Sequence, residues 1–169
     1  SGKTTLMNIM TGLLIPSTGK LIIDEQDSRK LDIRSFQKRI GYITQEPVTF
    51  DDTVFNNVTF WAEKTEVNLK HFWDSLEKAH IADFVREQSD REDTRLGNNG
   101  ISLSGGQKQR ISIARELYKD VDFLFMDEAT SALDSETERN IQNSIDALKG
   151  RYTIVIIAHR LSTIKNADR

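Results

Sequence analysis

Phe123-Leu124-Phe125-Met126-Asp127-Glu128 is the stretch whose reading decides the fold. The apolar run is short enough for a buried strand, and two acids stand at its C-terminal end. Parallel α/β sheets gather their ligands at that end of their strands. Taken alone, the same stretch equally suits a strand followed by an acidic helix cap.

The segments on either side supply its partners. Downstream, Ser135 to Leu148 reads as a helix with Ile141, Ile145 and Leu148 facing inward. Tyr152 to Ala158 reads as a second buried strand, rich in β-branched residues. Upstream, Ser104 to Tyr118 is a helix, and Arg39 to Thr44 is a strand carrying Ile40, Tyr42 and Ile43. Further back, Asp32 to Lys38 looks helical and Lys20 to Asp24 forms a short strand. The spacing predicts a first helix over residues 3 to 14, with Leu6, Ile9, Met10 and Leu13 in one apolar stripe ended by Pro16 and Gly19. Strands alternating with helices imply a parallel α/β sheet. From about Asp51 to Arg91 the pattern is helical instead. Leu69, Phe72, Trp73 and Leu76 form one stripe, and Ile81, Phe84 and Val85 continue it, as the core of a small helical subdomain would. Ser89 to Arg95 reads as a solvated loop.

Composition excludes several classes. The chain has 169 residues, enough for one domain and hardly two. It is 37% hydrophobic and 29% charged with net charge −3, so it is not disordered, and the slightly acidic balance argues against a general nucleic-acid binder. No apolar run approaches the ~20 residues of a membrane helix. The absence of cysteine excludes disulfides, thiolate metal sites and a cysteine nucleophile. The opening residues do not form a signal peptide. The chain opens on Ser1-Gly2-Lys3-Thr4 and stops at Asp168-Arg169, inside what reads as a continuing segment, so a fragment cut at both ends is expected. Such a piece alone is expected to be weakly active or inactive.

Two further motifs carry chemistry. Gly2-Lys3-Thr4, with Ser1 before it, matches the last positions of the phosphate loop G-x-x-x-x-G-K-[ST], although a plain helix start would also explain it. Leu103-Ser104-Gly105-Gly106-Gln107 places a natural N-cap before paired glycines, which let the backbone approach an anion closely.

With its continuation Lys108-Gln109-Arg110, this stretch resembles the signature motif of ATP-binding cassette (ABC) ATPases. Other motifs agree in chain order: Gly2-Lys3-Thr4 with Walker A, Gln45 with the Q-loop, Asp127-Glu128 with Walker B, Ser131-Ala132-Leu133-Asp134 with the D-loop, and His159 with the switch histidine. The resemblance implies an α/β, P-loop NTPase core with a mostly parallel sheet and an inserted helical subdomain. It divides the chain into a core of residues 1–50 and 111–169 and a helical subdomain of about 51–110. It implies ATP and Mg²⁺ as cofactors. Ser1, Gly2, Lys3, Thr4 and Thr5 would meet the nucleotide's phosphates. Thr4, Gln45 and Asp127 would hold the metal. Glu128 would polarise the attacking water, and Gln45 and His159 would assist. Ser104, Gly105, Gly106 and Gln107, with Asp134, would complete the nucleotide site of a second nucleotide-binding domain in a head-to-tail dimer.

Several segments resemble the exporter branch of the family: Gln45-Glu46-Pro47 with Phe50-Asp51-Asp52-Thr53-Val54, the run Ala158 to Ile164 with Ala167-Asp168-Arg169, and an X-loop at Thr94-Arg95-Leu96-Gly97-Asn98-Asn99-Gly100. The X-loop carries Asn98 where Glu is usual. Glu25 stands where a hairpin glycine is usual, so an altered turn is expected there. The resemblance implies a transmembrane partner domain, a place on the cytoplasmic face of the inner membrane, no nucleic-acid partner, and export of a lipid, glycan or peptide. A soluble ABC ATPase acting on nucleic acid or ribosomes is the alternative.

Overall fold

A computed structural model describes residues 2–127, 135–158 and 167–168 of the chain. In chain order the elements are α1 (Lys3–Met10), β1 (Ile22–Ile23), β2 (Gln26–Asp27), α2 (Ile33–Lys38), β3 (Ile40–Ile43), α3 (Val54–Thr59), α4 (Glu66–Lys78), α5 (Ala82–Arg86), α6 (Gly105–Tyr118), β4 (Phe123–Asp127), α7 (Ser135–Leu148) and β5 (Thr153–Ile157).

β4 is central because its side chains are apolar on both faces. Leu124 and Met126 join the larger core, while Phe125 joins a smaller one with Met7 and Ile40. β3 and β5 flank it in parallel, with Ile43 opposite Met126 and Asp127 opposite Ile157. The strands therefore end together, and the residues that follow them emerge at one edge of the sheet. Gly41 is required by close packing. A Cβ there would stand 2.7 Å from Leu124 Cδ2 and 2.9 Å from Glu116 Cβ, so α6 can lie against β3 only over a bare backbone.

The expected helical stripe is present. Phe72 and Leu76 of α4 are fully buried, with Leu69 and Trp73 half-buried beside them. Ile81 and Val85 are buried as well. This packing is continuous with the sheet, since Val54, Phe72, Ile111, Leu124 and Ile141 share one cluster. In α7, Ile141, Ile145 and Leu148 face inward as their spacing predicts.

Four expectations need correction. The first helix stops at Met10, short of residue 14. The Thr11 hydroxyl donates to the carbonyls of Met7 and Asn8, and Gly12 turns the chain at φ +71. Leu6 and Leu13, placed on the apolar stripe, are each 59% exposed, and Met7 is the buried residue. The turn between β1 and β2 is not altered by Glu25. Asp24 and Glu25 both take positive φ, 46° and 63°, as a two-residue hairpin turn demands, with Glu25 accepting the left-handed strain. β5 is half-buried, with Thr153 exposed, where a buried strand was expected. Ser89 to Arg95 is not simply solvated: it holds a 3-10 turn over Arg91–Asp93, and Thr94 is buried.

Candidate nucleotide site

The sheet edge and the start of α1 converge. The Thr4 hydroxyl donates to Asp127 Oδ2 at 2.9 Å, across 123 residues of sequence. Lys3 and Thr4 open the helix, and Asp127 closes β4, so local sequence puts neither near the other; the parallel sheet does. Gly2 enters the helix in the left-handed conformation (φ 88°), and no side chain caps its N-terminus. Its first amides therefore lack intrahelical acceptors and face outward with the positive end of the helix dipole. A hydroxyl and a carboxylate in hydrogen-bond contact are hard oxygen donors, and that set suits Mg²⁺.

Tyr42, one residue from the end of β3 and expected only as a strand residue, adds a side-chain contact at the site. Its hydroxyl donates to Asn8 Oδ1 at 3.2 Å, tying β3 to α1 beside the Thr4–Asp127 pair. Burial, and then the Asp127 charge, push its phenol above the ordinary value. The signal available in sequence was an aromatic residue on the strand leading to Gln45. Gln45 itself is exposed just beyond β3.

The signature segment lies at the head of α6. Ser104 and Gln107 form a reciprocal capping box. The Gln107 amide donates to Ser104 Oγ at 3.2 Å, and the Ser104 amide donates to Gln107 Oε1 at 2.8 Å. The hydroxyl acts there as an acceptor, so its own proton remains to be donated. Ser104 and Gly105 are exposed, whereas Gly106 is buried. Ser1, Glu128, Ser131, Asp134 and His159 lie outside the described residues.

A third grouping joins the residues after Gln45 to the helices. Asn57 is fully buried; its amide nitrogen donates to the carbonyls of Phe50, Asp52 and Thr53, and its oxygen accepts from the Phe50 amide at 2.8 Å. Arg115 reaches the same place from α6. The X-loop is stitched alongside: Thr53 bridges Arg95, and Asn99 donates to Asp51 Oδ2 at 2.8 Å. Asp52 accepts from the Thr53 amide, the Trp61 indole and the Asn56 amide, which together hold its carboxyl below the usual carboxylate range. Above this network Val48, Phe60 and Trp61 are exposed. Sequence periodicity had marked none of Asn57, Arg115 or Phe60, because their partners lie in other elements.

The ABC transporter family profile matches residues 1–131. The chain is 44% identical over 170 residues to the ATP-dependent lipid A-core flippase of Ralstonia nicotianae, covering all of this chain and 29% of that protein. It is 44% identical to the ATP-dependent lipid A-core flippase of Francisella novicida over 169 residues, again all of this chain and 28% of the relative. A bacterial Atm1-family ABC exporter, solved with ATP bound, superposes with a TM-score of 0.85 at 36% identity, over 99% of this chain and 29% of that one. The chain thus spans under a third of the length of these relatives. It belongs to the ABC transporter family and carries the ABC ATPase fold, a nucleotide-binding α/β core. Among the described residues no helix is long and apolar enough to cross a membrane.

Proposed function

We propose that this chain is the ATP-hydrolysing part of an ABC exporter that moves a lipid of the lipid A-core class across a membrane. The single observation that carries the reading is the Thr4–Asp127 hydrogen bond, which brings Walker A and Walker B residues into one oxygen cluster. The names of the flippase relatives support the substrate class.

In this reading Lys3 and the first amides of α1 hold the phosphates, with Ser1, Gly2 and Thr5 beside them. Thr4 and Asp127, with Gln45, hold Mg²⁺, which when bound neutralises charge on the phosphates. Glu128 accepts a proton from the attacking water, and His159 orients Glu128 and the γ-phosphate. Ser104 donates its free hydroxyl proton to the phosphate of a nucleotide on a second nucleotide-binding domain. Gly105 and Gly106 let the backbone approach it, Gln107 keeps the cap closed, and Asp134 faces the same interface. Two helix N-termini and one lysine then meet the buried anion, and hydrolysis removes the bridge they share. Residues 1–50 and 111–169 serve as the core and about 51–110 as the helical subdomain. The exposed Val48, Phe60 and Trp61, beside the X-loop, are the docking face for a transmembrane domain. In this reading the chain lies on the cytoplasmic face of the membrane.

The test uses the full-length protein reconstituted in liposomes. Wild type is expected to hydrolyse ATP faster when lipid A-core lipopolysaccharide is present. Glu128→Gln should lower turnover by about 10² or more while retaining ATP. A Glu128→Gln protein with wild-type turnover removes the catalytic assignment. Unstimulated hydrolysis with lipid A-core lipid removes the substrate.

A further inference from the structure

Arg115 is 6% exposed, yet its partners are carbonyl oxygens and ring faces. Nε donates to the Asn57 carbonyl at 2.7 Å, Nη1 to the Val48 carbonyl at 2.9 Å, and Nη2 to Asn57 Oδ1 at 3.3 Å. The guanidinium carbon sits 5.2 Å from the Phe50 ring centroid and 5.4 Å from that of Phe60. Burying a charge this way is costly, and an apolar side chain of similar volume would commonly serve stability as well. The placement does something an apolar residue would not. Val48 is on the segment leaving Gln45, Asn57 belongs to α3, and Arg115 is rooted in α6, whose first turn follows Ser104. The planar fork reaches all these acceptors at once, which the single ammonium of lysine does not.

We propose that Arg115 is a positioning residue that locks the segment after Gln45 to the signature helix, so that Gln45 and Ser104 shift together during the ATP cycle. The inference rests on the ATPase reading above. α6 transmits the link because it is a continuous helix from Gly105 to Tyr118, roughly 21 Å long at 1.5 Å per residue. Asn57 makes the other end of the lock stiff, since its amide is already committed to the carbonyls of Phe50, Asp52 and Thr53. Lys3, Thr4 and Asp127 are not part of the link, so the phosphate and metal contacts they make should be spared when it is broken.

The experiment compares Arg115→Met and Arg115→Lys in the full-length protein, with turnover expressed per folded molecule. Arg115→Met should lower kcat roughly tenfold to a hundredfold, as small misplacements in active sites do, with KM for ATP within about twofold of wild type. Arg115→Lys should recover part of kcat, because it keeps the charge, although one ammonium nitrogen does not span all the acceptors. Should Arg115→Met fail to fold, Arg115→Lys alone must still show lowered kcat at unchanged KM. Normal kcat in the folded variants overturns the proposal, as does a rise in KM matching the fall in kcat. Wild-type protein without ATP turnover would instead remove the ATPase reading, before any variant is compared.

Discussion

The helices α3, α4 and α6 and the first helix, α1, are built on opposite terms. In the former, Val54, Val58, Phe72, Leu76, Ile111 and Ile113 are all buried, and Arg115 of α6 bonds across to Asn57 of α3. In α1 a single side chain, Met7, is fully buried, and the segment after it exposes Leu13, Leu14 and Ile15. α1 is held to the rest by a few directed contacts, notably Thr4 to Asp127 and Tyr42 to Asn8. The region proposed to hold phosphate thus has little packing behind it. Binding segments are commonly drawn from the low-stability end of a structure, where ordering by ligand is possible. The helices supply the rigid frame from which the signature is presented.

The largest effect that sharpens this contrast is expected in the core. Phe72→Ala should cost about 3–5 kcal/mol in urea denaturation, since it empties space between α4 and its neighbours. Leu13→Ala, at a site that is 59% exposed, should change stability by no more than about 0.5 kcal/mol. Comparable losses from the two substitutions would break the contrast.

The second effect separates two duties of one residue. Ser104→Ala removes the cap of α6 and should cost about 1 kcal/mol. Ser104→Asp keeps an oxygen acceptor for the Gln107 amide, so stability should be close to wild type, while a carboxylate facing phosphate should abolish ATP turnover. The two variants are compared by denaturation and by phosphate release. Normal turnover in Ser104→Asp would remove phosphate from the duties of Ser104 and leave only the cap.

How much of this was readable beforehand follows from the range of the interactions. α7, the α4 stripe and the central strand were legible because their signals are local periodicities of apolar residues. The cap at Ser104 was legible for the same reason: residue type and helix start are adjacent. The end of α1 was not. Its apolar spacing continues to Leu13, but Gly12 at positive φ beside Ile33 of α2 breaks the helix first. The hairpin turn failed in the other direction, since Glu25 tolerates a conformation usually left to glycine. The pairing of Thr4 with Asp127 was anticipated through motif resemblance, not spacing. Arg115 and Asn57 had no local signature at all: their bond spans 58 residues, and an arginine in a helix otherwise reads as surface.

The smallest effect concerns the carboxylate beneath the exposed aromatic face. Asp52 accepts from the Thr53 amide at 2.7 Å, from the Trp61 indole at 2.7 Å and from Asn56 at 3.0 Å, and these bonds favour its charged form. Its folded pKa is therefore lowered below the unfolded value of about 3.9. A lowered carboxylate contributes stability above the unfolded pKa, and that contribution is lost as pH falls through the folded one. Wild type should thus exceed Asp52→Asn in stability at neutral pH, by a margin as modest as exposed charge networks usually give. The margin should shrink below about pH 4 and vanish once Asp52 is protonated in the folded state. Denaturation midpoints of both proteins, measured from pH 7 down to pH 2, follow that gap. A constant gap across the range would mean that the aromatic face rests on packing of Phe50, Phe60 and Trp61, not on the charge below it.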